Sequence, residues 1–175
     1  MNAPARPSYL SVIPESVPEQ LVQLPHWCCW RAAWRVDKQG EGKWTKPPYQ
    51  PDGRPASSTD PATWAEFGEC LLAYQLRGFD GIGFMLAKSA GIIGVDLDHC
   101  IDETGALEPK AQPIVDQFNS YTEVSPSGDG LHIFVFGTFP EGMTGRKKGP
   151  IEVYAEGRYL TVTGHVFEGG AVCHP

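Results

Sequence analysis

The sequence predicts an α+β fold with mixed or antiparallel sheet. Two observations carry this expectation. Short runs rich in Val, Ile, Tyr, Phe and Trp, bounded by Gly, Pro and Asp, outnumber the segments with helical periodicity. The two helical patterns separate groups of strands. With 175 residues, 41% hydrophobic and 20% charged, the chain suits one globular domain with a sizeable core.

Taken in order, residues 1–20 are rich in Pro, Ser and Glu and read as an extended or poorly ordered arm, leaving 21–175 as the folded domain. A Trp-rich segment follows, with Trp27, Trp30, Trp34 and Trp44. Trp30 to Trp34 reads as a strand, and the polar, Gly-containing run from Asp37 to Lys43 as the turn of a hairpin. Core packing is the commoner use of Trp in a small domain. Lys46 to Ala56 reads as a Pro/Gly-rich loop. Thr59-Asp60-Pro61 begins a helix, with a capping residue and Pro in the first turn, and Trp64, Phe67, Leu71 and Tyr74 form its inward stripe.

Gly81 to Leu86 and Gly91 to Leu97 read as a hairpin linked by Ala87 to Ala90. A second helix over Ala111 to Phe118 turns Ile114, Val115 and Phe118 inward, and Pro113 limits how early it begins. Tyr121 to Val124, Leu131 to Phe136 and Ile151 to Thr163 complete the strands, the last broken near Glu156-Gly157 into another hairpin. The chain stops soon after a strand and reads as a piece of a longer protein.

Composition excludes several classes. The five cysteines, Cys28, Cys29, Cys70, Cys100 and Cys173, form no Cys-x-x-Cys pair or zinc-spaced cluster, so reduced thiols in a cytoplasmic protein are expected. No signal-peptide pattern and no bilayer-length apolar run is seen. The net charge of -7 argues against a purely electrostatic DNA binder, while leaving a metal-dependent enzyme open. Arg146-Lys147-Lys148 alone reads as a solvated loop.

The most informative motif is Asp96-Leu97-Asp98, closing the apolar run from Gly91. Strand alternation puts both carboxylates on one face. Such a pair repels itself and is costly to desolvate, unless the strand end reaches solvent or a divalent cation sits between them. Ser125-Pro126-Ser127-Gly128-Asp129-Gly130-Leu131-His132 is a turn leading into a strand, whose amides can form an anion-binding nest and whose His132 can reach a phosphate oxygen. Glu152 lies mid-strand in Ile151-Glu152-Val153-Tyr154, on a solvated face or as a ligand, and Arg158 just beyond is a surface arginine or a fork for phosphate or carboxylate. Acids on strands, a glycine-flanked histidine and nearby cations are what two-metal phosphoryl transfer uses, with ions roughly 3.5–4 Å apart. Nucleases use similar parts, so the set alone does not choose between making and breaking phosphodiesters.

The order of motifs from Trp44 to Gly164 resembles the bifunctional primase-polymerase domains of the archaeo-eukaryotic primase superfamily, in the phage and plasmid replication branch. The matching pieces are Lys46-Pro47-Pro48-Tyr49, Asp60-Pro61-x-x-Trp64-x-x-Phe67, Gly81-Ile82-Gly83-Phe84, Gly94 to Cys100, Thr122 to His132, Ile151 to Tyr154 and Arg158 to Gly164. The resemblance implies an RRM-like sheet carrying the catalytic acids, packed with a smaller α/β module. It implies Asp96, Asp98 and Glu152 as ligands of two magnesium or manganese ions. It also implies Ser127, Gly128 and His132 as the triphosphate site, with Arg158 and Lys46 as further nucleotide contacts. The implied partners are single-stranded DNA template and primer, nucleoside triphosphates, and a helicase in the full-length protein or in trans. The domain is expected to be monomeric and free of membrane. A zinc-binding insertion found in several relatives has no cysteines to form it here, and the third acid is Glu where many relatives have Asp. The competing expectations are a metal-dependent nuclease and a DNA- or helicase-docking module without catalysis.

Overall fold

A computed structural model describes residues 3–143 and 145–167. Its strands are β1 (Trp27–Trp30), β2 (Ala33–Val36), β3 (Gly42–Thr45), β4 (Pro48–Tyr49), β5 (Gly81–Leu86), β6 (Ile92–Leu97), β7 (Tyr121–Val124), β8 (Leu131–Phe136), β9 (Gly145–Lys148), β10 (Ile151–Tyr154) and β11 (Arg158–Val162). The helices are α1 (Glu19–Val22), α2 (Phe67–Arg77) and α3 (Gln112–Phe118). The architecture is α+β, with few helices and antiparallel pairing throughout the described sheets.

β1 and β5 are buried at every position, as strands covered on both faces are. They form the middle of a four-stranded sheet ordered β11-β5-β1-β4. Its core joins Trp27, Ile82, Phe84, Leu86, Leu160 and Val162 to Cys70 and Ala73 of α2. The Trp27 indole meets Phe67 and Phe84 edge-on, with centroids 4.8 and 5.3 Å apart. Glu66 and Glu69 start α2 with a reciprocal capping box, and Gly78, at φ 66°, ends it in the left-handed conformation.

A five-stranded sheet ordered β7-β8-β6-β10-β9 lies against the first. Phe134 of β8 meets Phe84 across the two layers, 6.2 Å between centroids. Gly94 of β6 permits this close approach, because a Cβ there would stand 2.6 Å from Leu160 Cδ1 and 2.8 Å from Leu86 Cδ1. The opposite face buries Val95, Leu97, Leu131 and Ile133 with Ala111 and Val115 at α3. Strand alternation therefore puts odd-numbered β6 residues under α3 and even-numbered ones, including Asp96, on the other face. β2 and β3 form a separate ribbon in which Trp34 pairs with Trp44.

The N-terminal segment lies along this body. Leu10 N–H donates to Pro126 O at 2.9 Å, Ile13 N–H to Thr163 O at 2.8 Å, and Tyr9 meets Trp30 edge-on at 5.0 Å. Val17 and Leu21 are buried. Cys28, Cys29, Cys70 and Cys100 are buried free thiols, and Cys173 lies outside the described residues. No described helix is long and apolar enough to cross a membrane.

Several expected elements differ. The strand read over Trp30 to Trp34 is two strands, β1 and β2, that enter different sheets. The loop read over Lys46 to Ala56 contains β4, an edge partner of β1. The helix expected from Thr59 is only a 3-10 turn, Pro61–Thr63, which Asp60 caps at the Ala62 N–H. Helix cannot continue through Ala65, whose backbone exchanges hydrogen bonds with Trp27 at 3.0 and 2.9 Å, so α2 begins at Phe67 without Trp64. Its buried positions are Cys70 and Ala73, with Phe67, Leu71 and Tyr74 half-buried.

β5 and β6 are not a hairpin. A 3-10 turn, Lys88–Ala90, and Gly91 at φ 63° carry the chain from one sheet to the other. β10 and β11 are likewise split between the sheets, with Gly157 at φ 70° redirecting the chain. Arg146, Lys147 and Lys148 are an edge strand, β9, though exposed as a loop would be.

Candidate functional site

Register decides what the site contains. Across the five-stranded sheet Glu123 of β7 stands opposite His132 of β8, His132 opposite Asp96 of β6, Asp96 opposite Glu152 of β10, and Glu152 opposite Lys147 of β9. Residues directly opposite share a face, with Cβ atoms about 4.5–5.5 Å apart. Three segments distant in sequence thus place an unbroken row of ionisable side chains on the side away from α3.

The row is most buried at its β7 end. Glu123 is 0% exposed and His132 5%. The Glu123 carboxylate accepts hydrogen bonds from Tyr121 Oη at 2.8 Å, Thr163 N at 3.0 Å and Gly164 N at 2.8 Å. It also lies 3.8 Å from His132 Nδ1. His132 Nδ1 is 2.8 Å from the Thr161 carbonyl, which can only accept, so Nδ1 carries a proton. Nε2 is thereby turned toward Asp96, 3.5 Å from Oδ1. Burial works against a charge on the His132 ring, but Glu123, Asp96 and the Thr161 carbonyl outweigh it, and the pKa is raised.

Burial pushes the Asp96 carboxyl above the usual carboxylate range. Asp98 and Glu152 push it further, with His132 and Lys46 opposing. Lys46 is lowered by its own burial, against the pull of Asp96, Asp98 and Asp129. The same ammonium lies 5.6 Å from the Tyr9 ring centroid and 6.0 Å from that of Trp30, while Tyr159 Oη donates to the Lys46 carbonyl. Glu152 is held below its ordinary value, chiefly by an ion pair with Lys147.

Ser127 and Gly128 lie in a turn beside the end of β6. Gly128 N–H donates to Ser125 O at 2.9 Å, and Ser125 N–H to Gly130 O at 2.8 Å. Gly130 lies so close to β6 that a Cβ would stand 2.8 Å from the Leu97 carbonyl oxygen. Asp129 accepts from Ser127 Oγ and pairs with His99 Nδ1, both at 2.5 Å. This ties the turn to the residue after Asp98.

The residues expected from sequence therefore divide. Asp96, His132 and Glu152 share one row; Lys46 feels Asp96 and Asp98; Ser127 and Gly128 flank the end of the same strand. Arg158 lies apart, its guanidinium 5.0 Å from the Tyr154 ring centroid, near enough to help depress Glu152. The sequence alone assigns no role to Glu123, Asp129 or His99. A Glu two residues after Tyr121, in a strand that pairs with the one carrying His132, is the signal for the first.

The donor set suits a hard cation: Asp96 offers a carboxylate from the end of β6 and Asp98 another from the exposed turn just after it, with burial the main cause of the raised Asp96 carboxyl. Among the described residues, no group of three or more His, Cys, Asp or Glu is arranged to hold a metal. The Glu152 carboxylate is turned to Lys147.

No family model matches the chain. Over 131 residues it is 43% identical to a DNA primase-polymerase of Nitratiruptor phage NrS-1, a match covering 71% of this chain and 18% of that protein. The chain thus spans under one fifth of that relative's length. With this similarity added to its ordered motifs, the chain belongs to the phage primase-polymerase family.

Proposed function

We propose that this domain is the catalytic unit of a DNA primase-polymerase, transferring nucleotidyl groups from nucleoside triphosphates to a 3′-hydroxyl on single-stranded DNA during phage or plasmid-type replication. The single observation that carries this reading is the cross-strand register placing His132, Asp96 and Glu152 side by side. The 43% identity to a DNA primase-polymerase supports the same reading.

Asp96, Asp98 and Glu152 are the residues to hold magnesium or manganese, which when bound activates the attacking hydroxyl and offsets phosphate charge. The chain's own groups do the rest. His132, its Nδ1 proton fixed on Thr161, presents Nε2 to the triphosphate. Ser127 and Gly128 would reach the same oxygens only by exchanging their present hydrogen bonds to Asp129 and to the Ser125 carbonyl, and Lys46 adds positive charge beside Asp96. The 3′-oxygen bonds to the α-phosphorus, the bond to the β-phosphate oxygen breaks, and pyrophosphate departs.

We also infer an RRM-like core. β6, α3, β7, β8 and β10 follow one another with spatial order β7-β8-β6-β10, and β9 occupies the connection where a second helix is expected. A helicase is the expected neighbour in the full-length protein, which acts in the cytoplasm. The domain itself is expected to be monomeric.

Incubation with labelled nucleotide, manganese and primed single-stranded DNA tests the activity. Extension of the primer is expected. Metal-dependent DNA degradation without added nucleotide, in place of extension, would assign the same carboxylates to a nuclease.

A further inference from the structure

The N-terminal segment, read from sequence as an arm, is tied to several parts of the candidate site. Leu10 N–H donates to the carbonyl of Pro126, in the turn that carries Ser127 and Gly128. Ile13 N–H donates to the carbonyl of Thr163, whose own amide holds the Glu123 carboxylate. The Ser11 carbonyl lies 2.8 Å from His165 Nε2. These contacts pin the backbone, and none of them needs an aromatic side chain at position 9. Tyr9 is nevertheless there, half-buried, with its ring edge-on to Trp30 at 5.0 Å.

The two rings share a neighbour. Lys46 lies between β3 and β4, and its ammonium stands over both, 5.6 Å from the Tyr9 centroid and 6.0 Å from that of Trp30. A ring face attracts a cation out to about 6 Å. Asp96, Asp98 and Asp129 attract the same ammonium. Yet among the described residues Lys46 forms no ion pair with any of them, whereas Lys147 on the same side of the sheet is paired with Glu152. An unrestrained ammonium in the field of three carboxylates closes onto one of them, because charge-assisted hydrogen bonds are the strong ones. The ring faces give it another resting place, where its charge stays in the site and its hydrogens stay off the acids. Trp30 is fixed there by burial and by its indole N–H bond to the Ile82 carbonyl at 3.1 Å. Tyr9 is the replaceable half of the rest.

We propose that Tyr9 is a positioning residue: with Trp30 it holds the Lys46 ammonium in the field of Asp96 and Asp98 without letting it pair with them. The carboxylates thereby stay open to a divalent cation, and the ammonium to a phosphate. This deepens the proposed function and rests on the metal and triphosphate roles given there.

Manganese binding to the full chain, measured by calorimetry beside thermal melts, tests it. Tyr9→Leu keeps apolar bulk and removes the ring face. It is expected to melt near the wild type and to bind manganese about 2- to 10-fold more weakly, as Lys46 closes onto the acids; that is the range for one lost cation–π contact. Tyr9→Phe keeps the face and should bind manganese as the wild type does. In a Lys46→Met background, Tyr9→Leu is expected to change nothing further. Equal weakening with and without Lys46 would overturn the proposal, since a merely loosened segment acts without the ammonium. Manganese affinity unaltered by Tyr9→Leu would overturn it too. Primer extension by the wild type is followed alongside. If manganese binding behaves as expected and no primer is extended, the positioning stands and the polymerase reading fails. If primer is extended and manganese binding ignores Tyr9, the positioning fails and the polymerase reading stands. A wild type that binds no manganese would overturn both.

Discussion

The two sheets share antiparallel construction and face each other, yet they are stabilised by opposite means. In the four-stranded sheet, β1 and β5 are buried at every position and carry no charged side chain. The five-stranded sheet carries Glu123, His132, Asp96, Glu152 and Lys147 in one row across its five strands. A sheet needing only stability has no use for such a row, because desolvating charges offsets what their pairing contributes. The proposed activity accounts for the difference: the first sheet would serve as scaffold and the second would give up stability to hold the charged row. Gly94 makes the junction: it lets Leu86 and Leu160 of the scaffold lie directly on the sheet beside Asp96.

The largest expected effect breaks the scaffold. Phe84→Ala removes a ring at the centre of the layer contact and should lower stability by about 3–5 kcal/mol, read by denaturant unfolding. Next is Glu123→Gln. The carboxylate accepts from three donors in a fully buried site, and an amide nitrogen cannot replace an oxygen there. A loss of about 2–3 kcal/mol is expected, together with a raised KM for nucleotide as His132 loses its neighbour. A melt as stable as wild type would show that Glu123 is not the buried anchor described.

Smaller effects have the opposite sign. Asp96 carries a folded-state pKa above its unfolded one, so ionised Asp96 opposes folding once the pH rises past the usual carboxylate range. Asp96→Asn should therefore melt slightly above the wild type at neutral pH without metal, and lose the stabilisation manganese gives the wild type. Lys147→Ala, at an exposed pair, should leave the melting temperature near that of wild type. It should also tighten manganese binding by freeing Glu152, measured by calorimetry. Weaker manganese binding would mean that Lys147 supports the acid instead of competing for it.

Much of the site was legible because alternation is local. The spacing of Asp96 and Asp98, the mid-strand Glu152 and the glycine turn before His132 are visible in single short segments, although Asp98 falls in the turn after β6 and not on the strand. Which strands neighbour one another is not local. β5 and β6, joined by a short link, read as a hairpin, since successive strands usually pair. Layer packing overrode that tendency: β5 is buried on both faces and belongs between α2 and the second sheet. The same blindness hid Glu123, whose role depends on a register with β8 and on the amides of Thr163 and Gly164, forty residues away. The resemblance implies the acids; only the folded structure shows that Lys147 holds Glu152 and that Arg158 sits over Tyr154.

Primer extension by Asp96→Asn, measured beside its melting curve, separates a reaction site from a structural row. A reaction site is expected to leave a fold at least as stable as the wild type, with nucleotide incorporation reduced about 10²–10³-fold. Undiminished incorporation by that variant would contradict it.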